Sequence, residues 1–274
     1  MKKFLSILLA AILVFALCAC TQAGPAEKTA AETEASDWDY VSAKGKLVIG
    51  YTDYAPMNYL DENGTLVGFD TEFAKAVCEK LGIEPEFVEI NWDTKEVELN
   101  AKNIDCIWNG FTINAEREAN LDFTKPYIKN KQVVVIKKDN TELYKDTASL
   151  ADANLVAESA SAGADAIAAD ENLSKASFVE VSKQTDALLE VKSGTADAAV
   201  LDYTLAYAMV GEGTDYEDLM MIDKIELGVE EYGIGFRTGS DMVEKVNAVI
   251  DELIADGTMN AIAEKYDLSA IVLK

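Results

Sequence analysis

Short apolar runs rich in β-branched residues recur along the chain, with amphipathic stretches between them. After Gly45, LVIG reads as a strand, EFVEI as a second and IDCIW as a third. A second series follows in NLVAES, SFVEVS and DAAVLDY, separated by alanine-rich stretches of helical character. Strand alternating with helix predicts parallel α/β sheets, and the repeated series predicts two similar lobes. QVVVIKKD lies between the two series and YGIGFR follows the second. Both are extended enough to cross from lobe to lobe, which makes them the hinge candidates.

The best specified helix follows GTLVGFD. Phe69, Phe73, Val77 and Leu81 recur on one face, Asp70 is placed as N-cap, Glu72 sits in the first turn and Gly82 supplies the stop. Near the end, a helix from about Asp241, with Glu244 three residues on, turns Val243, Val246, Ile250 and Leu253 inward, and Gly257 ends it. Met259, Ile262, Ala263 and Tyr266 repeat the helical spacing in the last segment. Having crossed back at YGIGFR, the chain returns these helices to the first lobe. That lobe is then discontinuous, over residues 45–135 and 232–274, with the second lobe over 136–231.

The N-terminal segment has a different character. Lys2 and Lys3 precede the apolar run FLSILLAAILVFAL and small residues before Cys20, the order of an export signal and too short to favour a spanning helix. Leu17-Cys18-Ala19-Cys20 resembles the lipobox of bacterial lipoproteins, which implies removal of residues 1–19 and diacylation of Cys20; an ordinary cleaved signal and an uncleaved anchor are the alternatives. From residue 21 to about 44 the composition turns to Ala, Thr, Glu, Gly, Pro and Ser, with Trp38 and Tyr40 the only large apolar side chains before Val41. This stretch reads as a disordered tether holding the globular part clear of the membrane.

Composition narrows the function. The 274 residues include 49 acidic and 24 basic ones, for a net charge of −25, and loss of Lys2 and Lys3 with the signal would take it to −27. That is the wrong sign for a protein that neutralises phosphates, so nucleic acid is not expected as a partner. No histidine occurs, which removes Ser-His-Asp and Cys-His nucleophiles and His-based zinc ligation. No metal or cofactor is expected. In the body of the chain only Cys78 and Cys106 remain; a bridge and two free buried thiols are both open.

GFDTEFAKAVCEKL, residues 68–81, resembles the signature of the family 3 bacterial extracellular solute-binding proteins, the polar amino acid binders of ABC importers. YLDENGTLVGFD, NIDCIWNGFTINAERE, DFTKPY, SGTADAAVLDY and ADGTMNAIAEKYDL extend the resemblance over nearly everything from Gly45 to Lys274. The resemblance implies an α/β, two-lobed periplasmic-binding-protein-like fold of type II, with two crossing hinge strands and the ligand between the lobes.

A free amino acid presents a carboxylate and an ammonium a few ångströms apart, so its site needs fixed donors on one side and an anion on the other. Arg117, in FTINAERE just inside a helix start, is the carboxylate candidate. Its planar fork suits bidentate binding, and the resemblance places the family's carboxylate-binding arginine here; without the motif it would read as a surface residue on a first helical turn. Asn109, Gly110 and Thr112 end the strand IDCIW, where α/β sheets bind ligands. By resemblance such positions supply backbone carbonyls to the ammonium and a hydroxyl and N–H to the carboxylate. Ser161, Ala162 and Gly163 open a helix after NLVAES and would meet the carboxylate from the second lobe; the family often has a hydroxyl where Ala162 stands. Asp202, ending AAVLD, matches the family's ammonium-binding acid, although an aspartate there also suits a turn or N-cap. Tyr54 resembles the clamping aromatic of the first strand loop, which is one residue shorter than the common pattern, so Tyr51 shares the candidacy. Trp92 and Trp108 are further aromatic candidates, the latter equally suited to the core. Acids such as Asp53 and Glu98 hint weakly at a polar or cationic ligand.

The implied function is a monomeric, lipid-anchored receptor on the outer face of the cell membrane, closing on an amino acid and docking on ABC transporter permease subunits. Cyclohexadienyl dehydratases resemble the same family, so an enzyme needing one placed acid is the alternative, and a sensory module reporting to a receptor is another.

Overall fold

The computed structural model describes residues 36–273; the expected export signal and Cys20 lie outside the described residues. The first half is built from helix α1 (Asp37–Lys44), strand β1 (Lys46–Tyr51), the short hairpin β2 (Tyr59–Leu60) and β3 (Leu66–Val67), α2 (Phe69–Leu81), β4 (Glu84–Glu89), α3 (Lys95–Asn100), β5 (Cys106–Thr112), α4 (Ala115–Glu118) and β6 (Leu121–Phe123). Strand β7 (Ile128–Lys137) leads into the second half, made of β8 (Asn154–Glu158), α5 (Ala162–Ala169), β9 (Ser177–Val181), α6 (Gln184–Ser193), β10 (Ala198–Asp202), α7 (Tyr203–Met209) and β11 (Leu219–Met221). Strand β12 (Leu227–Arg237) returns, and α8 (Met242–Ala255) and α9 (Thr258–Lys265) follow it.

The main sheet runs β4-β1-β5-β12-β7-β10-β8-β9, with β11 beside β7 and β6 beside β12. β1 lies parallel to β4 and β5, and β8 parallel to β9 and β10, so each half carries its own parallel triplet. β7 and β12 connect them. Residues 128–132 of β7 pair antiparallel with residues 227–232 of β12. Beyond that the two strands diverge: β7 continues along β10, while β12 continues along β5 and β6. Each strand therefore belongs to both halves, and bending them changes the angle between the halves. This is the two-lobed, type II periplasmic-binding-protein-like α/β fold.

The core explains why the C-terminal helices return. Phe69, Phe73 and Val77 of α2 share one buried cluster with Val246, Ile250 and Leu253 of α8 and with Met259 and Ile262 of α9. Phe73 meets Trp108 edge-on at 5.4 Å between ring centroids. Burying each such side chain is worth about 1.5–3 kcal/mol, and α2 has no other amphipathic partner of that length. The second half has its own cluster, with Val134, Leu155, Ile167, Ala198 and Val200.

Two expectations are corrected. The tether was expected to run to residue 44, but residues 37–44 form α1. Val41 is fully buried, the Trp38 N–H donates to Asp241 Oδ1 at 2.9 Å, and the Asp37 carboxylate accepts from Arg237 Nε at 3.1 Å. These partners lie some 200 residues away and are invisible to a local reading. Asp70 was placed as N-cap, yet Gly68 occupies that position at φ 125°, and Asp70 is fully buried inside the first turn. Asp241 starts α8 without a side-chain cap, its carboxylate being engaged by Trp38.

Candidate ligand-binding cleft

The parallel triplets end at the cleft between the halves. β5 delivers Asn109, Gly110 and Thr112, the loop after β1 delivers Tyr54, β8 delivers Glu158, the turn into α5 delivers Ser161, and β10 delivers Asp202. All nine residues expected from the sequence (Tyr54, Trp92, Asn109, Gly110, Thr112, Arg117, Ser161, Ala162 and Asp202) line one narrow cavity, and Glu158 and Gln184 complete its wall.

Arg117 follows from local chemistry. Asn114 caps α4 by accepting the Arg117 N–H at 2.9 Å, and the guanidinium stacks 4.7 Å from the Phe111 ring centre. Nη1 donates to the Thr112 carbonyl at 2.8 Å, and Nη2 reaches the Ala160 carbonyl of the other half at 3.4 Å. Of its five donors, three remain for a ligand. Across the cavity, Asp202 accepts from Asn130 Nδ2 at 2.6 Å, Gln132 Nε2 at 2.7 Å and Gln184 Nε2 at 2.5 Å. Arg117 and Asp202 are 6% and 7% exposed, and among the described residues neither forms a salt bridge. A buried charge without a counterion is costly, so both are poised for opposite charges arriving together.

Closely spaced amides and hydroxyls flank this pair. Ser161 caps α5, its hydroxyl oxygen accepting the Ala164 N–H at 3.2 Å, which leaves the hydroxyl proton and the first-turn amide of Ala162 at the cavity. Gly163 permits the close approach of α5 to β10, since a Cβ there would lie 2.6 Å from the Val200 carbonyl oxygen. Gly110 adopts φ 57°, and its Cβ would lie 2.5 Å from Tyr54 Cε1. Its N–H is already donated to Asp70 Oδ2 at 2.7 Å. The Asn109 side chain is likewise engaged, with Thr52 and Asn58.

The aromatic alternatives separate cleanly. Tyr54 lines the cavity and its hydroxyl bonds with Thr204 and, at 2.6 Å, with Tyr232; Tyr51 packs instead on Phe87. Trp92 lines the cavity, whereas Trp108 belongs to the core. Glu98 bonds Asn103 on the surface, and neither it nor Asp53 lines the cavity. Cys78 and Cys106 are buried free thiols, not a bridge.

Sequence reasoning missed several polar groups. Burial raises the Glu158 carboxyl to about 8, with Asp202 adding to the effect and Lys95 opposing it. Burial likewise raises Glu230 to about 8, again reinforced by Asp202; Glu230 accepts from the Asn130 and Gln132 amides that also serve Asp202. Lys95 is pushed down to about 8 by burial and then by Arg117, and donates to the Trp92 carbonyl at 3.1 Å and across the cleft to the Ala160 carbonyl at 3.0 Å. Beneath the floor, burial raises Asp70 to about 7, opposed chiefly by the Gly110 amide. Only tertiary structure turns these residues inward; no local pattern marks them.

The family model for bacterial extracellular solute-binding proteins, family 3, matches residues 47–269. The arginine-binding extracellular protein ArtP of Bacillus subtilis (strain 168) is 28% identical over 277 residues, covering 97% of this chain and 98% of its own. Among solved structures, a P235GK mutant of ArgBP from T. maritima superposes with a TM-score of 0.77 at 33% identity, over 84% of this chain and 98% of that one. The ancestral amino acid-binding protein AncCDT-1, described as a precursor of cyclohexadienyl dehydratase, gives 0.76 at 30% identity, over 84% and 99%.

Proposed function

Because the chain belongs to the bacterial extracellular solute-binding proteins of family 3, we propose that it captures a free, polar amino acid by closing its lobes and delivers it to the permease subunits of an ABC importer. The supporting observation is that Arg117 from one half and Asp202 from the other, both buried and both without salt-bridge partners among the described residues, line one cavity. In this reading Arg117, Thr112, the Ser161 hydroxyl and the Ala162 amide hold the carboxylate, Asp202 and the carbonyls of Asn109 and Gly110 hold the ammonium, and Tyr54 and Trp92 flank the aliphatic part. The lobe boundaries lie within β7 and β12. Diacylated Cys20 anchors a monomer to the outer face of the cell membrane, and residues up to about 36 serve as the tether. No cofactor takes part.

Thermal-shift screening of the twenty amino acids is the test. At least one should raise the melting temperature, and Arg117→Ala and Asp202→Ala should each abolish that rise while leaving the unliganded melting temperature nearly unchanged. A ligand-induced shift surviving in both variants would refute the assignment. The named relatives are binding proteins, which favours binding over catalysis; turnover of prephenate or arogenate by the purified protein would reverse that preference.

A further inference from the structure

The zwitterion accounts for one positive and one negative wall of the cavity, but the cavity carries a second acid. Glu158, the last residue of β8, is 3% exposed and lines the cavity. Its Oε1 is fully buried and has no hydrogen-bond partner among the described residues. A carboxylate oxygen in that condition carries an unrecovered desolvation cost. Lys95 forms no hydrogen bond with it: its ammonium donates to the Trp92 and Ala160 carbonyls and does not line the cavity. Of the ionisable side chains at the wall, Arg117 is positive, and Asp202 and Glu158 are acidic. The adjoining groove, which shares Thr112 and Ala162 with the cavity, adds Asp165, Asp170, Glu226 and Glu230 and no basic residue.

Resting on the amino acid reading above, we propose that Glu158 selects the ligand's side chain, and that the preferred ligand is an amino acid whose side chain ends in a cation, a primary ammonium or a guanidinium. Either supplies Glu158 with the donor and the counter-charge it lacks. In the empty site burial keeps the carboxyl protonated near neutral pH, with Asp202 and Lys95 as its main charged neighbours; a bound cation lets it ionise. Asp202 is thereby left to the α-ammonium, with its three amide donors undisturbed.

Charged and neutral ligand pairs give the test. Calorimetric titration of the purified protein compares L-arginine with L-citrulline and L-lysine with L-norleucine, each pair similar in size but different in charge. At least one cationic member should bind about 100-fold or more tightly than its neutral counterpart, as expected for a buried charge pair. Glu158→Gln should reduce that preference at least tenfold while leaving the affinity for the neutral member within about threefold, and its unliganded melting curve reports that the variant is folded. Equal binding of charged and neutral members, or an equal loss for both in the variant, overturns the role of Glu158. Tight binding of a neutral amino acid such as L-glutamine or L-leucine, dependent on Arg117, would sink this proposal and leave the amino acid reading intact. Failure of every amino acid to bind would sink both.

Discussion

Asp70 offers a test of how the cleft floor is built. Its carboxyl is fully buried, accepts the Gly110 N–H at 2.7 Å and the Tyr127 hydroxyl at 3.0 Å on one oxygen, and has no partner on the other. Burial raises it from 3.8 to about 7. Because the folded state holds this proton more tightly than the unfolded chain, its stabilising effect is complete below about pH 4 and is lost as pH rises to about 7. At about 1.4 kcal/mol per tenfold change in proton affinity, the loss is on the order of 4 kcal/mol. Asp70→Asn keeps the shape and both accepted hydrogen bonds but cannot ionise. Urea unfolding followed by tryptophan fluorescence, at unit steps from pH 4 to pH 8, should show the variant within about 1 kcal/mol of the wild type at pH 4. It should then gain on the wild type up to pH 7 and run level beyond. The chain has no histidine, and the Glu158 and Glu230 titrations are common to both proteins, so the difference isolates Asp70. A difference that stays flat from pH 4 to pH 8 would refute the reasoning.

Gly110→Ala should destabilise the protein by about 2 kcal/mol in urea unfolding, because φ 57° disfavours a side chain and the new Cβ displaces Tyr54; amino acid affinity should fall with it, and unchanged unfolding would contradict the close approach. Lys95→Met removes the donor that joins α3 to the Ala160 carbonyl across the cleft, so small-angle scattering without ligand should report a larger radius of gyration, and an unchanged profile would reject the link. Cys78 and Cys106 are buried, and burial raises both thiols, Cys78 to about 12. Peptide mapping after exposure to a thiol reagent should find both unmodified in the native protein and both modified after denaturation; a bridged pair would stay unmodified in both.

The framework was legible in the sequence because its signals are local. Strand runs stop at Gly and Asp positions, α2 shows a single apolar face, and the motifs around Arg117 and Asp202 sit at strand ends where α/β sheets bind ligands. The apolar runs of both hinge strands were also visible. What stayed hidden depends on partners distant in sequence. Asp70 reads as an N-cap from its neighbours, yet Gly68 at φ 125° moves the helix start and carries the acid down to the Gly110 amide. Trp38, Tyr40 and Val41 look like isolated apolar residues in a tether until Asp241 and Arg237 are placed beside them. Glu158 and Gln184 carry no motif and become part of the cavity only when β8 and α6 are docked.

The return of α8 and α9 has a consequence for biosynthesis. Leu268 and Val272 belong to the same buried cluster as Phe69 and Phe73, so the first lobe cannot finish its core until nearly the whole chain has emerged from the ribosome. Before α8 and α9 are made, its α2 face stays uncovered although the second lobe already has all its strands. Until its closing segment arrives, that lobe resists compaction.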